Sequence, residues 1–118
     1  MTSDRRSPCP VACTLDLLGD KWTLLVIRDL FGGKSKFQDF LQSPERIATN
    51  ILTDRLKTLA DQGLIQRESS PEHAARYAYR LTAKGRSLLP VLQSVAAWGL
   101  ENISGTKALL APAHTPPR

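Results

Sequence analysis

The sequence predicts a mainly helical fold carrying one small β-hairpin, in a single domain of 118 residues. Three observations predict it. Apolar residues recur at helical spacing in several stretches of the chain. Glycine stands just past most of those stretches, at Gly19, Gly32-Gly33 and Gly63, where helices commonly stop. Two strand-like pieces flank a single turn-rich segment.

The elements follow in order. Residues 1–8 are polar and unpatterned, and read as a loose tail. Pro10 suits a first helical position, and Val11, Ala12, Leu15 and Leu18 form a stripe that ends at Gly19. Asp20 is placed to cap a second helix, Lys21 to Phe31, which is apolar on most sides and predicts the centre of the core. Ser35 and Lys36 begin a short third segment with Phe37, Phe40 and Leu41. Ser43-Pro44-Glu45-Arg46 then reads as a turn.

A fourth helix, Ala48 to Gln62, carries Leu52, Leu56 and Leu59 on one face and stops at Gly63. Leu64–Glu68 and Tyr77–Leu81 flank Ser69-Ser70-Pro71-Glu72-His73 as a hairpin. Thr82 caps a last long helix bearing Leu88, Leu89, Val91, Leu92, Val95, Trp98 and Leu100, in which Pro90 marks a kink or a fresh start. The folded unit is expected over residues 9–103, with residues 104–118 as a fraying tail. Two short helical segments around a tight turn, followed by a two-stranded wing, make up a winged helix-turn-helix.

Charge is divided along the chain. The net charge is +5, and from Arg46 to Arg86 eight basic residues face four acidic ones. From Ser87 to Thr106 there is no base and one acid, Glu101. A basic middle beside an apolar end favours a polyanionic partner for the one and a protein partner for the other. The apolar runs are too short to span a bilayer and no signal-peptide pattern opens the chain, so a cytoplasmic protein without membrane association is expected.

On the fourth helix, Asn50, Asp54, Lys57 and Asp61 lie nearly opposite the leucines, with Thr53 on the flank and Thr49 near the start. Thr49, Asn50, Thr53 and Asp54 are therefore candidates for contacting bases of double-stranded DNA. Asn pairs with adenine, Thr meets a thymine methyl, and Asp accepts from cytosine N4. Lys57 and Arg55 are candidates for phosphate. So is Lys36, aided by Lys34 and the backbone amides that open the third segment. Arg76, near the wing tip, is a candidate for a narrow minor groove. A polar helix face can equally be mere solvated surface, and a winged-helix protein-interaction or ligand-sensing module is the alternative reading.

The run Cys9-Pro10-Val11, then Leu15-Asp16-Leu17-Leu18-Gly19-Asp20-Lys21-Trp22-Thr23-Leu24-Leu25, resembles the start of HxlR-type transcriptional regulators. The resemblance continues through Lys36-Phe37, Ile47, Leu52-Thr53, Arg55-Leu56 and Gly63-Leu64-Ile65. Arg76, Tyr79, Leu81-Thr82, Gly85-Arg86-Ser87-Leu88 and Trp98-Gly99 complete it. It implies a dimeric winged-helix DNA binder, with recognition helix Ala48 to Gln62 and wing arginine Arg76. This chain departs from the pattern at Ala48, where a small polar cap is common. It departs also in its Ser-Pro-Glu-Arg turn, in place of a Pro-Gly type, and at Ala74-Ala75, where prolines are frequent.

A homodimer built from the first and last helices is expected, with Val11, Leu15, Val91, Val95 and Trp98 in its interface. Cys9 opens the first helix, where the helix dipole favours thiolate. In some relatives an equivalent Cys-Pro cysteine senses oxidants or electrophiles, which makes Cys9 a candidate sensor and a small-molecule or oxidant inducer a candidate signal. Cys13 reads as a packing residue. The two histidines, His73 and His114, form no catalytic motif, and neither metal-ligand spacing nor a phosphate loop occurs. No cofactor and no enzymatic activity are expected.

Overall fold

The computed structural model describes residues 5–69 and 77–108. Within them the order is α1 (Pro10–Leu18), α2 (Thr23–Phe31), α3 (Phe37–Leu41), α4 (Thr49–Asp61), β1 (Ile65–Ser69), β2 (Tyr77–Leu81), α5 (Ala83–Arg86) and α6 (Leu89–Asn102). This is the expected helical fold with one hairpin. The wing arginine Arg76, the dipeptide Ala74-Ala75 and both histidines lie outside the described residues.

Local chemistry explains most of the boundaries. Pro10 occupies the first turn of α1, where its missing N–H is no loss. The Asp20 carboxylate accepts from the backbone N–H of Trp22 (2.9 Å) and Thr23 (3.1 Å), so it satisfies the start of α2 as expected, although regular helix begins at Thr23. Asp39 reaches back to the N–H of Lys36 at 3.0 Å and closes the start of α3. Hydrogen bonds donated by the backbone amides of Lys36 and then Ser35 hold that carboxyl below the usual range.

The α4 helix starts from Ala48 with no side-chain cap. It ends at Gly63, whose φ of 77° lets the Leu64 N–H return to the Leu59 carbonyl at 2.9 Å. Thr82 caps α5 through its hydroxyl, which accepts from the Gly85 N–H at 3.0 Å. The expected last helix is thus two. A turn at Ser87-Leu88 separates them, and Pro90 sits in the first turn of α6 as a fresh start.

The core is a single cluster. Leu18, Val26, Ile27, Leu30, Phe40, Ile47, Leu52, Leu56, Leu59, Leu64 and Ile65 are buried together. The α2 helix supplies its centre, with Ile27 fully enclosed. Gly85 packs so closely on the Leu64 carbonyl that a Cβ there would overlap it, which fixes α5 against the foot of the hairpin.

The strands β1 and β2 pair antiparallel, with Ile65 opposite Leu81 and Ser69 opposite Tyr77. A third edge joins them. Lys36 bridges Ala78, and the Tyr79 N–H donates to the Ser35 carbonyl at 2.8 Å. The wing is therefore rooted in the residues that open α3.

Candidate nucleic-acid interface

The α4 helix is divided as its periodicity requires. Leu52, Leu56 and Leu59 are buried, whereas Thr49, Asn50, Thr53, Asp54, Lys57 and Asp61 are all exposed. The four residues selected for base contact thus share the solvent side of the helix's first half. The Thr53 hydroxyl donates to the Thr49 carbonyl at 2.9 Å. With its proton used inside the helix, Thr53 offers a base edge its methyl or a lone pair.

The turn before α4 is clamped from below. Arg28 of α2 donates to both oxygens of Glu45, at 2.7 and 2.8 Å, and also contacts Asp29. Asp29 is buried and accepts from the buried Ser43 hydroxyl, which in turn accepts from Lys34 at 2.6 Å. The Glu45 hydrogen bonds raise the Arg28 pKa, and the same contacts lower that of Glu45. Arg46 in this turn adopts φ 59°, a left-handed backbone that glycine takes without steric cost.

Charge on the interface is largely paired. Arg55 is half-buried, donates to Asp20 at 2.8 Å and also pairs with Asp54. Partial burial works to raise the Asp20 pKa. Hydrogen bonds from Thr23, Arg55 and two backbone amides outweigh it and hold the carboxyl at about 2. Arg55 thus has an intramolecular task that its sequence position did not announce. Lys57 forms an exposed ion pair with Asp61 at 3.0 Å. Lys36 is exposed, although Lys34 is turned inward to Ser43.

Sequence reasoning missed Arg67. This exposed residue of β1 lies beside Thr53, Lys57 and Tyr79 in a cleft of about 520 Å³ between α4 and the hairpin. Its spacing of two from buried Ile65 was the available signal, because alternate strand residues share a face.

The helices at the two ends turn apolar groups outward. Val11 and Leu15 of α1 are 66% and 52% exposed, and Val91, Val95 and Trp98 of α6 are 39%, 53% and 64% exposed. Each helix buries one residue, Leu18 and Leu92 respectively. Cys9 is the exposed cap residue of α1. Cys13 is half-buried, with its thiol 3.2 Å from the Ser7 carbonyl. No group of residues able to hold a metal occurs among the described residues, and no described helix is long and apolar enough to cross a membrane.

The sequence model described as HxlR-like helix-turn-helix matches residues 17–107. An uncharacterized HTH-type transcriptional regulator of Synechocystis sp., sll1512, is 42% identical over 84 residues, covering 71% of this chain and 62% of that protein. The chain therefore spans less than two thirds of that relative's length. The reduced form of the transcriptional regulator YodB from B. subtilis superposes with a TM-score of 0.69 at 29% identity, covering 86% of this chain and all of that one. The redox regulator HypR in its oxidized form gives 0.72 at 33% identity, covering 80% of this chain and 97% of that one. The first two of these are named as regulators of transcription and the third as a redox regulator.

Proposed function

Because the chain belongs to the HxlR-like helix-turn-helix family, we propose that it is a sequence-specific, homodimeric regulator that reads double-stranded DNA with the first half of α4. One observation carries the reading. Thr49, Asn50, Thr53 and Asp54 form a continuous exposed polar face on a helix whose other side is locked into the core. A helix so held is a rigid probe for a major groove, and residues near its N-terminus are those that reach base edges. Lys36 and Lys57 supply phosphate contacts at the edges of this face, and Arg76 extends the contact towards the neighbouring minor groove.

Dimerisation through α1 and α6 completes the reader. The recognition helices then stand about 34 Å apart, or a multiple of one DNA turn, to enter successive major grooves. Cys9 at the head of α1 couples thiol chemistry to that spacing. The likeness to a redox regulator and the exposure of Cys9 support this role.

The test is binding to duplexes recovered by selection from genomic fragments. Asn50→Ala should relax sequence preference, losing about 1–3 kcal/mol of discrimination at one position. Lys57→Ala should instead weaken all sequences alike and reduce the salt dependence by about one counterion per subunit. Unchanged preference in Asn50→Ala would show that α4 does not face the bases as described.

A further inference from the structure

We propose that the cleft between α4 and the hairpin is a backbone-phosphate site, in which Arg67 and Lys57 clasp the DNA strand dividing the major groove from the next minor groove. The assignment rests on the DNA-binding reading above and extends it to a backbone site that borders the base-reading face at Thr53.

Duplex geometry supplies the first step. The ridge between a major groove and its neighbouring minor groove is a sugar–phosphate backbone. A protein with a helix in one groove and a wing directed at the other must straddle that ridge. The ridge then enters whatever space separates helix from wing. Here that space is the cleft of about 520 Å³, with Thr53 and Lys57 on the α4 wall and Arg67 and Tyr79 on the hairpin wall.

The chemistry of the walls suits a phosphodiester. Arg67 lies opposite Tyr79 in the strand register, and its guanidinium carbon sits over the Tyr77 ring, 4.2 Å from the centroid. A guanidinium held over a ring face still has N–H groups to donate to phosphate oxygens. Among the described residues no carboxylate forms an ion pair with Arg67, whereas neighbouring Arg80 is paired with Glu68 at 3.0 Å. Phe37 and Leu56 add apolar wall, and the Tyr79 ring is braced edge-on by buried Phe40 at 6.4 Å. Deoxyribose carbons can rest on such a surface while the charge meets the cations. Asp61 is the opposing acid in the cleft. It pairs with Lys57 and stands at the far end of α4, about 12 Å along the axis from Thr53.

The experiment measures affinity and its salt dependence for a selected duplex and for a random-sequence duplex. Arg67→Gln should weaken both several-fold and lower the slope by about one counterion per subunit, with the ranking of sequences unchanged. Arg67→Lys should restore the slope. A duplex with a neutral methylphosphonate at the ridge flanking the half-site should bind the wild type less tightly, and Arg67→Gln should suffer no further loss from that change. Arg67→Gln keeping the wild-type slope, while Lys57→Ala loses its share, would overturn the site and leave the DNA reading standing. So would a methylphosphonate penalty of equal size in wild type and Arg67→Gln, since Arg67 would then act only by stiffening the hairpin. A wild type that binds neither duplex would overturn both readings.

Discussion

At the scale of single residues, two positions show how small groups set the interface. Ala48 holds the extended backbone of a cap residue (φ −72°, ψ 149°) but has no oxygen to offer the first amides of α4. Ala48→Ser supplies one, and should stabilise the fold by about 1 kcal/mol, read as a raised midpoint in denaturant unfolding. The two cysteines form the second case. Cys9 is exposed, whereas Cys13 is half-buried with its thiol directed at the Ser7 carbonyl. Cys9 should therefore be the first to be alkylated, as mass spectrometry of a brief labelling would show. Operator affinity unchanged by thiol oxidation, in wild type and in Cys9→Ser alike, would reduce it to a structural cap. Both positions were visible in the sequence because a helix start has a fixed local grammar. The partners of Arg55 were not, since Asp20 lies 35 residues away and only the folded chain brings the two together.

At the scale of elements, that pair ties α4 to the corner between α1 and α2. Asp20 satisfies the start of α2 and receives Arg55 from α4 at once. Its carboxyl falls from 3.8 to about 2 on folding. A depressed carboxylate pKa contributes stability above the unfolded value, and that contribution disappears as pH falls through the folded value. Acid unfolding should thus include a loss of stability between about pH 4 and pH 2 that Asp20→Asn lacks, measurable by circular dichroism of both proteins. The elements themselves were largely legible. Pro10, Gly19 and Gly63 punctuate α1 and α4, and the leucine spacing of α4 fixes its buried side. Where α5 ends and α6 begins was less so, because Pro90 permits a kink or a restart and only packing decides. Arg67 was hidden for a related reason. A short strand shows which residues share a face, but not which helix stands opposite.

At the scale of the whole molecule, the proposed function gives the basic middle and the apolar ends different partners. Burying Val95 and Trp98 against a second copy would cover an outward face that folding leaves open. The protein should sediment in dilute solution at twice the 13.0 kDa chain mass. Val95→Asp should weaken that association by about 2–4 kcal/mol and lower operator affinity with it. A single-chain mass for the wild type would remove the dimer from the account. The hairpin adds a consequence of its own. Since Tyr79 donates its amide to Ser35, β2 lies between β1 and the chain entering α3, as an inner strand would. The Tyr79 amide can exchange its hydrogen with solvent only when the wing parts from the helix-turn-helix itself, so its exchange rate times the separation of those two parts.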